Sequence, residues 1–415
     1  MIKYQLILNL ERITTMKKKL FSCFLVLAMM FMFSSQIFAA TVSSSSTGKV
    51  LSELSPSSLT EQEDLILDYV ESFGRWDEWY TYYASSLQEN YRAFTSNADT
   101  IKNNTGIMVI NSAELLYIEK VDKSVAPYYP ELESFYTNGN YECYLIGVDI
   151  DVKENTKYYF DGINYKLVVV VKEDGIWKIG AQCGAPIELL LGINGEVSAN
   201  AAIADYCERA GISSRINSTR GIGWGFITGD VNDPPAYIYV GDGGSGVNEN
   251  GVWGPTFSGT VYTVDFEDYI YNSTSNEIYS TYDADAIKAC AISIKMFAWW
   301  CHLGTYRETY GCDLLGNFDQ AYDNDETTYP TSISNAIDEV VDYYILSSNG
   351  KFFTTNCNNF TSYNSQGSGH MVQSGAQSLA VNSNYTWQQI IHYYFDNSTY
   401  NHPDCGIVQI GTHTW

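Results

Sequence analysis

An apolar helical stretch from Ala284 to His302 constrains the possible folds more than any other part of the sequence. Its isoleucines, its alanines and Phe297 recur at helical spacing, and few of its residues are charged. Asp283 is a favourable N-cap for this helix, and Gly304 is expected to end it. A helix of this composition needs neighbours that cover most of its surface, so we expect it to be buried at the centre of a domain.

The chain before this helix predicts a different arrangement. Helical patterns begin at Glu61 and continue from Trp79 to Phe94, and period-two segments follow them. These β-rich segments are Ile107–Ile110, Glu142–Val152, Tyr158–Lys172 and Ile176–Ala181, with hairpin turns at Asp161-Gly162 and Asp174-Gly175. We predict an α+β fold: N-terminal helices with a curved, cone-like antiparallel sheet, similar to nuclear-transport-factor-like and cystatin-like folds, and then a second α+β domain around the central helix.

The N-terminus has the pattern of a secretory signal peptide. Lys17, Lys18 and Lys19 precede an apolar run from Leu20 to Phe33, and small residues follow up to Ala40. We predict that residues 1–40 are this signal, with translation starting at Met16, and that no integral membrane segment remains after cleavage. The other predicted divisions are a Ser-rich linker at 41–60, the cone-like domain at 61–195, a connector at 196–224 and the second domain at 225–415.

Charge and motif content exclude some classes of function. The chain has 23 Lys+Arg against 48 Asp+Glu, a formal net charge of -25, so nucleic acid is not an expected partner. No phosphate-binding glycine motif follows a predicted strand, and we expect no cofactor.

Eight of the nine cysteines lie after the predicted signal, which leaves disulfides or free thiols open. The less favoured alternative is a zinc site at Cys301, His302 and Cys312.

A series of short blocks occurs in a fixed order in the second half of the chain. The blocks are Phe266–Ile270, Asn276–Tyr279, Asp285–Phe297, Asp319–Tyr322, Gly369–Gln377 and Tyr385–Phe395. Over roughly residues 225–400 this order resembles the signature of the stage II sporulation protein D (SpoIID/LytB) family, and the chain looks like a divergent branch of it. Lys295 stands where the family has arginine, Tyr279 replaces a proline, and Ser374 replaces a tyrosine.

The resemblance implies which residues form a site. Glu277 occupies the glutamate of the family's Ser-Glu-Met-Pro block and would be the catalytic acid. Lys288, Lys295, His370 and Gln373 match further blocks and are candidates for substrate binding, although Lys288 could instead complete a salt bridge. We expect Glu277 on a short loop just before the buried helix, where desolvation raises the pKa of a carboxyl group.

Sporulation members of this family are lytic transglycosylases that act on peptidoglycan glycan strands stripped of stem peptides, and others are amidase enhancers. The resemblance therefore implies a secreted or cell-wall-associated bacterial protein that cleaves denuded glycan strands to 1,6-anhydro-muramic products, with one glutamate as acid and base. The alternative is a non-catalytic protein that binds wall glycan or enhances an amidase. Expected partners are the glycan strands and, in the second case, a cell-wall amidase or another wall protein.

Overall fold

The computed structural model describes residues 49–50, 59–185, 189–190, 226–227, 230–247, 253–400 and 405–415. The chain from Gly48 to Trp415 forms one compact unit. The predicted signal, most of the linker and the connector at 196–224 lie outside the described residues, so the predicted domain boundaries stay predictions. Within the described ranges, no helix is long and apolar enough to cross a membrane.

The structure combines helices and antiparallel strands, which confirms the predicted α+β class. The helices are α1 Glu61–Glu71, α2 Trp76–Trp79, α3 Ser85–Ser96, α4 Ala98–Asn103, α5 Glu133–Thr137, α6 Phe266–Glu277, α7 Ala284–Gly304, α8 Thr331–Asp338, α9 Gln373–Ser383 and α10 Trp387–Phe395. The strands are β1 Lys49–Val50, β2 Ile110–Val121, β3 Tyr141–Val152, β4 Gly162–Glu173, β5 Ile176–Gly184, β6 Phe226–Ile227, β7 Tyr237–Val247, β8 Trp253–Asp265, β9 Leu314–Leu315, β10 Tyr343–Leu346, β11 Phe352–Phe353, β12 Asn356–Asn358, β13 His370–Val372 and β14 Gln409–Thr412.

Strands β1 to β5 form one antiparallel sheet in chain order, and α1 packs against it. Register shifts interrupt the β2–β3 and β4–β5 ladders, and such bulges increase the local bend of a sheet. This sheet confirms the predicted curved antiparallel arrangement. Asp174 and Gly175 have φ values of 49° and 87°, as the predicted tight hairpin turn requires.

Helix α7 is the centre of the second half of the molecule. Helices α6, α8, α9 and α10 pack around it, and its residues from Ala289 to Cys301 are all buried. The Asp283 side chain accepts a hydrogen bond of 3.0 Å from the Asp285 N–H and so caps the helix as predicted. The predicted central buried helix is confirmed.

Three local predictions were wrong. The turn at Asp161-Gly162 is the end of a longer connection between β3 and β4, and Ile107–Val109 lies in a 3₁₀ turn before β2. The glycine- and asparagine-rich sequence from Gly241 to Gly254 predicts a long solvent loop, but the structure continues β7 as far as Val247. Close packing explains the glycine, because a Cβ atom at Gly241 would lie 2.7 Å from the Leu315 side chain.

Buried charges link the five-stranded sheet to the segment that follows α7. Lys166 Nζ on β4 lies 2.9 Å from Glu308 Oε2, and both side chains are almost completely buried. Arg307 donates to Glu131 Oε1 at 2.6 Å and to both carboxylate oxygens of Asp319 at 2.7 and 3.0 Å. The sheet-bearing half therefore helps to fix the position of the segment that leads into the candidate site.

Candidate active site

Glu277 is the last residue of α6, and not part of a loop as the sequence suggested. The Asp265 side chain accepts hydrogen bonds from the N–H groups of Glu267 and Asp268, so it starts a helix directly after β8. The block Phe266–Ile270 is therefore the start of this helix. Glu277 therefore lies at the C-terminal end of α6, shortly before α7 begins.

Both carboxylate oxygens of Glu277 accept hydrogen bonds. The Ala321 N–H donates to Oε1 at 2.8 Å, and Gln373 Nε2 donates to Oε2 at 2.7 Å. The orientation of the Gln373 amide is fixed in turn, because Asn359 Nδ2 donates to its Oε1 at 2.6 Å. Glu277 is thus held in one position by two groups from distant parts of the chain.

Opposing effects act on the protonation of Glu277. Burial raises the pKa of its carboxyl group, while the hydrogen bonds from the Ala321 N–H and the Gln373 amide lower it. Burial is the larger effect, and the pKa is raised overall. Each carboxylate oxygen keeps a further lone pair that can carry or accept a proton. The group is therefore suited to general acid and base chemistry.

Three of the sequence blocks meet at this glutamate. Glu277 belongs to the block Asn276–Tyr279, Ala321 to the block Asp319–Tyr322, and Gln373 to the block Gly369–Gln377. Gln320 joins the same region to α7: its side chain accepts from the Tyr269 hydroxyl at 2.7 Å and donates to the Ile294 carbonyl at 3.1 Å. Blocks that are widely separated in the sequence thus converge on one carboxyl group.

A cavity of about 350 Å³ lies in the same region of the molecule, and Glu277 itself is not among its described lining residues. Gln320, whose chain neighbour Ala321 donates a hydrogen bond to Glu277, lines the cavity, and so does Cys357. Eight of the 17 lining residues are Phe, Trp or Tyr, among them Trp300, Tyr363 and Tyr400. The volume is near the lower end of the range for small-ligand pockets, roughly 300–1,000 Å³.

Aromatic side chains are also exposed close to Glu277. Phe360 lines the cavity mouth with 66% of its surface exposed, and Tyr279, two residues after Glu277, is 68% exposed. Exposed aromatic faces of this kind can stack on flat apolar surfaces of a ligand. The cavity and these two exposed rings each offer apolar faces to a ligand.

His370 forms part of the cavity wall. Its ring stacks on Tyr363 with centroids 4.3 Å apart and meets Tyr400 edge-on at 3.9 Å. Nδ2 of Asn358 lies 2.7 Å from Nδ1, and Nδ2 of Asn356 lies 3.2 Å from Nε2. Burial lowers the pKa of His370 to about 3, so the ring is neutral near pH 7. A neutral imidazole has a single acceptor nitrogen, so only one of the two Nδ2 groups can donate a hydrogen bond to the ring.

The two lysines that matched the family blocks lie away from this cavity. Lys288 forms an ion pair with Glu339, which follows α8. Lys295 is 1% exposed, and its ammonium donates to the Val341 carbonyl at 2.6 Å and lies 3.0 Å from His413 Nε2. Burial lowers the pKa of Lys295 to about 7. The structure therefore brings Gln373 and His370 to the site of Glu277, and it places the two lysines elsewhere.

The alternative zinc residues do not form a donor set. Cys301 and Cys312 are completely buried, while Nδ1 of His302 lies 2.9 Å from Asp313 Oδ2 and 3.1 Å from Lys157 Nζ. Nowhere in the described part of the chain do three His, Cys, Asp or Glu side chains come close enough to hold a metal ion. No disulfide joins any two of the cysteines that the structure describes.

Sequence reasoning missed two parts of the site. Asn359, which orients Gln373, lies outside the sequence blocks from which the site was predicted. Tyr128, Pro130 and Glu133 line the cavity from the sheet-bearing half of the molecule, where we saw no candidate residues. No local pattern marks these three residues, because only the packing of the two halves brings them to the cavity.

Comparison of the sequence with protein-family profiles finds no match, and comparison with curated proteins finds none either.

Proposed function

We propose that this protein is a secreted lytic transglycosylase that cleaves denuded peptidoglycan strands, with Glu277 as its only acid and base. The observation that carries the proposal is the position of Glu277: a carboxyl group with a raised pKa, fixed by Gln373 and Ala321, near an aromatic cavity. The ordered blocks that resemble the SpoIID/LytB family support the same function.

The reaction requires one group that first donates and then accepts a proton. Protonated Glu277 donates to the glycosidic oxygen while the bond from that oxygen to the anomeric carbon breaks. The resulting carboxylate then removes the proton from the muramic 6-hydroxyl as its oxygen bonds to the anomeric carbon. Glu277 is protonated again, no water is consumed, and a 1,6-anhydro sugar is released.

The positions of the other carboxylates support a single-residue mechanism. An inverting hydrolase needs two carboxyl groups roughly 6.5–9.5 Å apart, and a retaining one needs them at about 5 Å. Glu267 precedes Glu277 by ten positions on α6, which is about 15 Å along the helix at 1.5 Å per residue. Asp319 lines the cavity, but its oxygens accept hydrogen bonds from Arg307 and from the Leu315 N–H. The oxygens of Asp319 are therefore already engaged, and Glu267 lies too far along α6 to pair with Glu277 in either geometry.

One observation favours the non-catalytic alternative, a protein that binds wall glycan or enhances an amidase. Both hydrogen bonds to Glu277 favour its ionised form, and an ionised carboxylate cannot donate a proton. In this case the same groove would hold a glycan strand without cutting it, and Glu277 would accept hydrogen bonds from sugar hydroxyls.

Mass spectrometry of denuded glycan strands separates the two candidates. The strands are incubated with the signal-free protein in water labelled with heavy oxygen. We expect anhydro-muramic ends without the label from the wild type and from Glu267→Gln, the matched control on the same helix. Glu277→Gln should give no new ends. Labelled reducing ends would instead indicate a hydrolase, and intact strands that still co-sediment with the wild type would favour the binding protein.

A further inference from the structure

The described residues that line the cavity near Glu277 carry negative charge but no positive charge. The charged residues that line it are Glu133 and Asp319, and no lysine or arginine occurs among its described lining residues. His370 adds no positive charge near pH 7, because burial lowers its pKa to about 3. The wall therefore presents aromatic rings, amides and carboxylates to a ligand.

The positive charge of Arg307, which lies just behind the cavity wall, is already neutralised by neighbouring carboxylates. Arg307 donates to Glu131 at 2.6 Å and makes two hydrogen bonds to Asp319. Two carboxylates thus surround one guanidinium group, so this cluster carries a net negative charge. Glu133 is exposed at the cavity edge on the first turn of α5 and adds a further negative charge.

This excess of negative charge acts differently on the two sugars of a peptidoglycan strand. A muramic unit carries a carboxylate on its lactyl group, unless that group is blocked. Moving this carboxylate from water to a site beside other carboxylates is unfavourable. A glucosamine unit has no acidic group, and its ring can stack on Tyr363 or Phe360 while Asn356 and Asn358 face its polar substituents. If the N-acetyl group has been removed, the resulting ammonium is attracted by Glu133.

We propose that this cavity is a subsite for the glucosamine unit and that it binds the free-amine form more tightly than the N-acetylated form. The inference rests on the proposed glycan substrate, but it does not require that the strand is cut. The preference for the free amine follows from the carboxylates and aromatic rings of the cavity wall.

The test is a pair of titrations by calorimetry in the Glu277→Gln background, where no ligand is consumed. The ligands are a β-1,4 tetramer of N-acetylglucosamine and the matching tetramer of glucosamine, at mildly acidic pH and low salt. We expect the free-amine tetramer to bind about two- to five-fold more tightly, as for a partly exposed ion pair. Raising the salt concentration should reduce this preference.

Three variants locate the effect. Glu133→Gln should abolish the preference, because it removes the carboxylate that attracts the ammonium groups of the free-amine tetramer. Glu114→Gln, an exposed glutamate on β2, is the matched control and should keep the preference. Phe360→Ala should weaken the binding of both tetramers by about two- to ten-fold, because it removes a stacking surface that both share.

Three results would overturn the proposal: no binding of either tetramer, equal binding of both, or a preference that Glu133→Gln leaves intact. Tighter binding of a tetramer with free muramic carboxylates would overturn it as well. Failure of strand cleavage would refute the transglycosylase and leave these binding ratios measurable, so the two proposals can fail independently.

Discussion

The buried ion pair between Lys166 and Glu308 allows a sharp test of how the two halves of the molecule depend on each other. The nitrogen and oxygen atoms lie 2.9 Å apart, and the side chains are 4% and 0% exposed. Lys166 also donates to the Tyr158 carbonyl at 2.8 Å, and its ammonium lies 4.5 Å from the centre of the Tyr159 ring. Without Lys166, Glu308 keeps only neutral donors, Thr305 Oγ1 at 3.2 Å and Gln182 Nε2 at 3.3 Å.

We expect Lys166→Met to lower the free energy of unfolding by about 3–5 kcal/mol, since it leaves a buried carboxylate without its partner. Glu308→Gln should cost a similar amount for the reciprocal reason. The double variant Lys166→Met with Glu308→Leu should recover most of the loss, because an apolar pair of similar volume avoids both desolvation penalties.

Urea unfolding followed by tryptophan fluorescence measures the three variants. Arg92→Met is the control, since Arg92 forms an exposed pair with Glu89 and should cost no more than about 1 kcal/mol. Single variants that cost as little as this control, or a double variant no more stable than either single one, would refute the reasoning. The slope of the free energy with urea should stay constant if the unfolding remains one transition.

Three further predictions concern groups at or near the site. Gln373→Met removes a hydrogen bond that lowers the pKa of Glu277, so that pKa should rise, and the pH optimum of strand cleavage should move upwards; an optimum that stays in place would contradict the assigned role of Gln373. His370 has a pKa lowered from 6.5 to about 3, so the unfolded chain binds the proton more readily, and stability should fall as the pH drops from about 6.5 towards 3. The melting temperature of His370→Gln should therefore depend less on pH over this range than that of the wild type, and parallel curves would show that His370 is not the group responsible. The hydrogen bond with Cys290 is the largest cause of the raised pKa of Cys357, so Cys290→Ala should accelerate the alkylation of Cys357 by iodoacetamide, measured on its peptide by mass spectrometry; an unchanged rate would mean that burial alone protects the thiol.

Local sequence signals predicted the elements whose cause is local. Asp283 caps α7 through its own side chain, and the apolar composition of that helix is enough to require burial on all sides. The hairpin at Asp174-Gly175 likewise follows from two residues that tolerate positive φ. In each case the physical reason lies within a few residues of the element.

Other features depend on partners that no short pattern reveals. The segment from Gly241 forms a strand although glycine disfavours strands, because it pairs with β8 and contacts Leu315. Glu277 and Gln373 could be named from the ordered blocks, but their hydrogen bond is a tertiary contact across 96 positions. The cavity wall at Tyr128 and Glu133 had no signal at all, since it arises where two distant parts of the chain meet.

The wall that Tyr128, Pro130 and Glu133 contribute has a consequence for modularity. A fragment of residues 225–415 would contain Glu277 and Gln373, yet it would lack one side of the cavity. It would also expose Arg307 without Glu131 and Glu308 without Lys166. The candidate site therefore could not be exchanged between proteins by recombination at the connector, and any shuffled descendant would need to inherit both halves together.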